Sequence, residues 1–442
     1  MKKLGLALVV LLIAAVLAAP YVSGMVMERT VRQAVVNMNK MYGEAGQDIR
    51  ADIVQYQRGY ASSEIVWKVG LGPLQALYGI GEVQLVERAK HGFGSIVSTT
   101  SLEKNPWYTK FVQEKLAGKD PLHITTQYSL SGKIASTIAL DGITLPVETE
   151  TVAIKPGKMV ASCDKEFKHF LGDVTWGGLA VGEKIVLEGL ALKSDLTLIS
   201  PFVWDGTISL AVPHVKAAKD PAERLELANL KGKYTLRFNK EQNTMSGMVD
   251  YGFDRLEVGQ EKVENAFVRI GMNGINVPAY KEFMTMYSRT MGDMLGEIVA
   301  AKGSAADLSK VNEKKMVMIG LQMMAASEKL LTKGLEFQIA DLRLRLPDGE
   351  IKGDLTLRLN KDMTFLQFVP LTQQPALALD IFSLKSNLSL PQQMVGNNTM
   401  LLQPLFPGMR TGLLVPSGAN YVHKAETKDN KLLLNDQEVQ LR

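Results

Sequence analysis

The chain has 442 residues, of which 46% are hydrophobic and 22% are charged, with 50 Lys and Arg against 46 Asp and Glu. This composition supplies ample material for a core and excludes an intrinsically disordered protein. The net charge of +4 is too small and too dispersed for a nucleic-acid-binding protein. The single cysteine, Cys163, excludes internal disulfides, and we interpret it as a small buried side chain.

The amino-terminal residues carry the strongest local signal. Lys2 and Lys3 precede a run without charge over residues 4–27, and a helix needs about 20 apolar residues to cross the hydrocarbon core. A cleaved signal peptide is the alternative, but Pro20 follows the best small-residue site and disfavours cleavage there. The two lysines favour a cytoplasmic amino end. We therefore expect a cytoplasmic tail at 1–3, a transmembrane anchor at 4–27 and an exported remainder.

An apolar helical stripe continues beyond the predicted anchor. Its members recur at spacings of three and four residues, and Gly43 is a suitable end for the helix. Such a stripe is buried either against the same chain or against a second copy, and both options stay open. We therefore predict an amphipathic helix at 28–43 before an exported body at 44–442. The candidate oligomer stripe, for a homo-oligomer such as a dimer, is Met27, Val31, Val35, Met38 and Tyr42.

From residue 51 the pattern changes to a period of two, which is typical of half-buried strands. The clearest hairpin joins 123–130 to 134–140 through Ser131-Gly132, and another turns at Pro347-Asp348-Gly349 within 335–359. Further strands are predicted at 65–69, 82–87, 196–212 around an Asp205-Gly206 turn, 230–238 and 266–272. Together they predict a largely antiparallel, twisted sheet with one apolar and one solvated face.

Helical patterns interrupt these strands. A short helix is predicted at 215–228, and an insertion at about 280–334 contains two longer helices joined across Lys302-Gly303. The second helix starts at Ser304 and ends at Gly334. The predicted fold class is therefore α+β: one amino-terminal transmembrane helix, then a largely antiparallel sheet with a helical hairpin packed on it.

No stretch carries a convincing catalytic or cofactor signature. The five histidines include no pair at the i, i+4 spacing of a helical zinc site, and a G-x-S-x-G nucleophile motif is missing. Two S-x-x-K strings, Ser101 to Lys104 and Ser162 to Lys165, lack the companion elements of a serine hydrolase. We therefore predict no catalytic residues, no metal and no cofactor, and expect the protein not to be an enzyme.

Several short strings spread over the chain carry a family resemblance. They are Tyr56-Gln57-Arg58-Gly59-Tyr60 with Ser62-Ser63, Lys90-His91-Gly92-Phe93, Thr175-Trp176-Gly177-Gly178, and Gly412-Leu413-Leu414 through Gly418, Tyr421 and Leu432 to Asn435. With these strings the chain resembles the YdgA-like bacterial family of unknown function, although Phe93 and Asp436 depart from its pattern. The resemblance implies an inner-membrane protein of Gram-negative bacteria that faces the periplasm and self-associates, and it supplies no catalytic residues.

Two hypotheses of different class follow. The first is a non-enzymatic envelope protein, membrane-anchored in the periplasm, that serves as a self-associating scaffold or binds a lipid on the apolar face of its sheet. The second is a periplasmic hydrolase with a site around His91 or the Ser162 and Lys165 string. The candidate apolar ligand face of the first hypothesis is Trp67, Tyr128, Leu342, Leu344, Leu355 and Leu357.

Overall fold

The structure is a computed structural model that describes residues 2–44, 49–72, 80–147, 150–218, 224–300, 313–397 and 412–440. Antiparallel strands dominate this part of the chain, which confirms the β-rich α+β class. The chain forms two compact units. Unit 1 comprises Met1–Gly178, Leu192–Phe202 and Met284–Ile319, and unit 2 comprises Leu179–Ala191, Val203–Phe283 and Gly320–Arg442.

The described helices are short, except for the first and those of the predicted insertion. They are α1 (Lys2–Glu44), α2 (Pro106–Lys115), α3 (Val277–Ala300), α4 (Glu313–Glu328), α5 (Phe368–Gln373), α6 (Ala378–Ile381) and α7 (Gln392–Asn397), with single 3-10 turns at Phe365–Gln367 and Pro375–Leu377. Helix α1 is continuous through Pro20. Among the residues described, no helix has both the length and the apolar character that crossing a membrane requires. The anchor at 4–27 stays a prediction.

Unit 1 contains an antiparallel sheet in which β1, β2, β3, β4, β5, β6, β9 and β10 are successive neighbours. Strands β7 and β8 form a hairpin, and β8 also pairs with β10. The predicted hairpin at 123–140 is confirmed as β5 and β6. The strands are β1 (Ile49–Arg58), β2 (Ser62–Leu71), β3 (Glu82–His91), β4 (Ser95–Ser101), β5 (Leu122–Ser129), β6 (Ile134–Leu140), β7 (Ile143–Val147), β8 (Glu150–Ile154), β9 (Gly157–Cys163) and β10 (His169–Val181). The next strand, β11 (Ile185–Ser200), has residues in both units.

Unit 2 contains a second run of antiparallel neighbours, from β12 through β18 to β20, β21 and β22, with β19 also paired to β20. The hairpin predicted within 335–359 is confirmed as β16 and β17. The strands are β12 (Val203–Ala218), β13 (Arg224–Asn239), β14 (Thr244–Val258), β15 (Glu261–Asn276), β16 (Glu336–Leu346), β17 (Gly349–Leu359), β18 (Phe382–Pro391), β19 (Val415–Ser417), β20 (Asn420–Lys428), β21 (Lys431–Leu434) and β22 (Gln437–Val439).

Two local predictions in this region are wrong. The helix at 215–228 is instead the facing ends of β12 and β13, where Val215 pairs with Leu227 and Ala217 with Leu225. Leucines two residues apart share one face of a strand, so pairing with a neighbour outweighs the local helical pattern. The turn expected at Asp205-Gly206 lies earlier, because β11 ends at Ser200 and β12 begins at Val203.

The helical insertion agrees with prediction in part. The start of α3 packs on the unit 2 sheet, where Val277 and Tyr280 join a core with Leu236 and Met245. The connection predicted at Lys302-Gly303 and the start at Ser304 lie outside the described residues. Helix α4 exposes large apolar side chains such as Leu321. Within the described side chains, packing of this insertion on the sheet is seen at the first turn of α3, and Ala326 near the end of α4 is also buried.

Candidate ligand-binding face

One face of the unit 2 sheet is apolar across neighbouring strands. Side chains of directly paired residues lie on the same face, as do residues two apart along a strand. Two adjacent rows across β13 to β17 follow from the pairing. The first row is Tyr234, Val249, Ile270, Ile339 and Leu355, and the second is Leu236, Gly247, Met272, Phe337 and Leu357.

Several large side chains of these rows face solvent. The exposed fractions are 39% for Tyr234, 36% for Ile270, 43% for Met272 and 36% for Phe337. Scattered exposed apolar residues are ordinary, whereas a contiguous apolar patch marks a binding surface. Ile270, Met272 and Phe337 occupy neighbouring positions on the paired strands β15 and β16, and Tyr234 lies on the same face two strands away, across half-buried Val249 of β14. We call the two rows together the apolar face.

Four of the six residues predicted for ligand contact lie on this face. Leu355 and Leu357 belong to its rows, and Leu342 and Leu344 continue it along β16. A bulge between Ile339 and Leu342 shifts the register by one residue. Without this bulge, Leu342 and Leu344 would point to the opposite face, because side chains alternate along a strand.

The apolar face is closed at one end. There Leu236 and Met245 are buried together with Val203 and with Val277 at the start of α3. A neighbouring core formed by Leu359, Met363 and Ile381 is also buried. The exposed side chains therefore continue a packed core, which supplies a rigid border for the open part of the face.

The opposite face of the same strands is polar. Lys233, Asp250, Arg269 and Asp341 pair in one row across it. The Arg269 guanidinium donates to Asp250 at 2.7 Å and lowers the pKa of that carboxyl group. Asp341 also accepts from Arg343, whose guanidinium lies 5.0 Å from the centre of the Phe267 ring. The two faces thus differ sharply in chemistry, and the polar face provides control positions for experiments on the apolar face.

In unit 1 the corresponding sheet face is covered by α1. Met27 and Val31 from α1 are each only 1% exposed and pack with Ile65, Ile96 and Tyr128. The first two residues of the predicted oligomer stripe are therefore buried against their own chain. The remaining three are half-buried, and self-association stays a prediction. They are Val35, Met38 and Tyr42.

A buried carboxyl group lies in this covered core. Glu87 accepts hydrogen bonds from Trp67 Nε1 at 2.8 Å, from the Tyr128 hydroxyl at 2.7 Å and from Ser98 Oγ at 2.5 Å. Burial, with Glu87 nearby, raises the pKa of the Tyr128 hydroxyl well above its ordinary value. Trp67 and Tyr128 had been predicted to line the apolar ligand face. The structure instead places them in the core of unit 1, where their polar ends satisfy Glu87.

His91 lies beside this cluster, also beneath α1. Its Nε2 is 2.8 Å from Ser63 Oγ, and both side chains are buried. A Cβ on Gly24 of α1 would lie 2.3 Å from the imidazole Cε1, so the helix backbone covers the ring closely. Burial lowers the pKa of His91. A serine and a histidine at hydrogen-bonding distance can act as nucleophile and base, but here both side chains are buried and the α1 backbone lies against the ring.

The contacts described for the two S-x-x-K strings are with other residues. Ser162 of β9 pairs with Leu171 of β10 and with Ala135 of β6, and the Lys165 side chain packs over Gly132 in the turn after β5. Ser101 Oγ donates to Glu103. Burial raises the pKa of the neighbouring Cys163 thiol to about 11, which keeps it protonated and unreactive at neutral pH.

The other four histidines bond to residues on adjacent strands or, for His123, just after one. His123 pairs with Asp141, His169 with Asp195 and His214 with Glu226. His423 bonds to Ser386. In the part of the chain that the structure describes, no three His, Cys, Asp or Glu side chains come together as metal ligands.

Sequence reasoning missed the exposed members of the apolar face. Strands were predicted at 230–238, 266–272 and 335–359, and their alternation was correctly recognised as a strand pattern. Alternation alone does not reveal which strands are neighbours or whether anything covers a face. Met272 and Phe337 are adjacent only through the pairing of β15 with β16.

Long antiparallel strands in two units, with an amino-terminal helix packed on the sheet of unit 1, define a β-rich protein. The chain belongs to a family described as a bacterial protein of unknown function (DUF945), which it matches over residues 1–442. This match confirms the resemblance seen in the sequence. No curated protein and no solved structure matches the chain.

Proposed function

We propose that this is a non-enzymatic protein of the bacterial inner membrane that faces the periplasm and binds a lipid acyl chain on its apolar face. The observation that carries the proposal is the contiguous exposure of Ile270, Met272 and Phe337, with exposed Tyr234 on the same face two strands away. An apolar ligand gains free energy in proportion to the apolar area removed from water, about 25 cal/mol per Å².

The shape of the apolar face favours an elongated ligand. Its rows cross five strands, and neighbouring strands lie about 4.8 Å apart, so each row spans about 19 Å. A single acyl chain is long, flexible and without hydrogen-bonding groups, which suits a surface of this length whose rows carry one hydroxyl group, that of Tyr234, and no charge. Charged ligands would favour the opposite face, where Arg269 and Arg343 lie.

The proposed location depends on the amino-terminal sequence. Lys2 and Lys3 favour a cytoplasmic amino end, and the uncharged run at 4–27 is long enough to cross a bilayer. Pro20 disfavours removal of this run by signal peptidase. Since α1 is one helix from Lys2 to Glu44, the run would connect directly to the part of α1 that packs on unit 1.

Native mass spectrometry of the purified full chain tests the proposal. We expect lipid adducts on the natural protein and their loss from the variant I270Q/M272Q/F337Q, whose new side chains are polar but uncharged. The control T235Q/T356Q places glutamines on the opposite face of the same sheet and should retain the adducts. Equal lipid occupancy in all three proteins, with unchanged circular dichroism, would refute binding at this face.

A second copy of the chain is the other candidate occupant, in keeping with a self-associating scaffold. An open sheet face that is flat and apolar is also a suitable dimer interface. The same spectra decide between the candidates. A dimer without lipid that becomes a monomer in I270Q/M272Q/F337Q would support the scaffold and overturn the lipid site.

A further inference from the structure

Two turns at one end of the unit 1 sheet present aromatic side chains to solvent. Tyr60 lies in the turn between β1 and β2 and is 55% exposed, and Phe93 lies between β3 and β4 and is 64% exposed. The amide of His91 donates to the Ala61 carbonyl at 2.9 Å, which holds the two turns side by side. Together they form a small aromatic surface, which we call the turn pair.

The turn pair contacts α1 within the predicted anchor. The Tyr60 hydroxyl donates to the Leu17 carbonyl, and Ser23 Oγ donates to the Gly92 carbonyl at 2.8 Å. Pro20, which has no amide hydrogen, lies between these two contacts along α1. The turn pair is therefore fixed at a defined height along α1.

The length of the uncharged part of α1 determines how close the turn pair lies to the bilayer. Residues 4–16 precede the first of these contacts, and at about 1.5 Å per residue they rise about 20 Å. The hydrocarbon core of a bilayer is about 30 Å thick. If α1 crosses the membrane, the helix around Leu17 to Val22 must also enter it. The turns bound to this part of α1 are then drawn to the outer edge of the bilayer.

The side chains at this level suit a membrane interface. Tyrosine is enriched where the hydrocarbon core meets the headgroups, and Tyr21 of α1 is exposed next to the turn pair. The Arg58 guanidinium lies 5.1 Å from the centre of the Tyr21 ring and is ion-paired with Glu28, and Lys90, three residues before Phe93, is exposed. Cationic side chains next to apolar ones are attracted to anionic headgroups.

We propose that the turn pair inserts Tyr60 and Phe93 into the headgroup region of the membrane that α1 crosses, and thereby fixes the height of unit 1 above the bilayer. This inference rests on the proposed anchor but is independent of lipid binding in unit 2. The turn at Phe93 is suited to this role because a Cβ on Gly92 would lie 2.6 Å from the Ser95 carbonyl, so glycine permits the tight turn that exposes the ring.

The test uses the full chain in vesicles of phosphatidylethanolamine and phosphatidylglycerol. In a C163S background, which removes the single native thiol, F93C and Y60C are labelled with an environment-sensitive fluorophore. K119C is the matched control, because Lys119 is an exposed loop residue of unit 1 just before β5, at the opposite end of that strand from Ser95. Quenching by lipids with a nitroxide near the headgroup reports contact with the membrane.

We expect blue-shifted emission and several-fold stronger quenching at positions 93 and 60 than at position 119. Equal, weak quenching at all three positions, in protein that resists carbonate extraction, would contradict insertion of the turn pair. The predicted anchor would remain supported. Release of the protein from the vesicles by carbonate would instead contradict the transmembrane anchor, and with it the insertion of the turn pair.

Discussion

The two units use the same antiparallel pattern to produce opposite surfaces. In unit 1 the inner sheet face is covered by α1, and its polar groups around Glu87 are buried and hydrogen-bonded. In unit 2 the apolar face has no buried carboxyl group, and Met272 and Phe337 remain exposed. The difference shows that strand alternation determines which side chains share a face, while the covering element determines whether that face becomes a core or a binding surface.

The largest effect is expected in the covered face, from E87L. This change leaves Trp67 Nε1, Ser98 Oγ and the Tyr128 hydroxyl without their acceptor. Each buried donor without a partner costs about 1 to 3 kcal/mol, so the free energy of unfolding should fall by about 3 kcal/mol or more. Urea unfolding followed by tryptophan fluorescence measures it. E87Q keeps an acceptor oxygen and should lose less; equal losses would show that these hydrogen bonds do not stabilise the fold.

A matched pair of methionine substitutions compares the two faces directly. M27A removes a side chain that is 1% exposed, and M272A one that is 43% exposed. Truncating a buried methionine costs about 2 to 5 kcal/mol, whereas a surface change is usually within about 0.5 kcal/mol. Urea unfolding of both variants should show this contrast. A large loss in M272A would mean that the apolar face is covered in solution.

The close contact between α1 and His91 is tested at Gly24. In G24A the new Cβ would meet the imidazole at 2.3 Å, and overpacking of this kind costs about 1 to 3 kcal/mol. G43A is the control in the same helix, since a Cβ there meets nothing within 4 Å. The double variant G24A/H91A should lose less stability than the sum of its single variants; strict additivity would contradict the contact.

The smallest effect is a pH dependence from His91. Burial lowers its pKa in the folded protein, so the unfolded chain binds more protons as the pH falls through about 6.5. The contribution of neutral His91 to stability is therefore present above that pH and is lost below it. Thermal unfolding between pH 7.5 and 5 should show a weaker dependence in H91Q than in the natural protein. Identical slopes would mean that His91 titrates normally.

The sequence predicted which neighbouring strands form hairpins better than it predicted whether a helix covers a sheet face. The hairpins at 123–140 and 335–359 were found because Ser131-Gly132 and Asp348-Gly349 mark their turns and the flanking residues alternate. The helix at 215–228 was wrong because its apolar spacing also fits a strand, and pairing of Ala217 with Leu225 decides the outcome.

The candidate site residues show the same contrast between a shared sheet face, which alternation predicts, and burial under a helix, which it does not. Leu342, Leu344, Leu355 and Leu357 were assigned to one face from alternation alone, and pairing places them together. Trp67 and Tyr128 show the same alternation, but α1 covers them. One signal was present in the sequence: Glu87 stands between Leu85 and Ala89 on the apolar side of β3, which indicates a buried carboxyl group with nearby donors.

The central claim is that the apolar face of unit 2 holds a lipid, and site-specific photo-crosslinking in cell membranes tests it most directly. A benzophenone amino acid replaces Phe337 on the apolar face or Gln338, its neighbour on the opposite face. Irradiation followed by mass spectrometry of the intact full chain should reveal a phospholipid adduct for the first position and none for the second. Adducts of equal yield at both positions, or only protein crosslinks at position 337, would contradict a lipid-binding face.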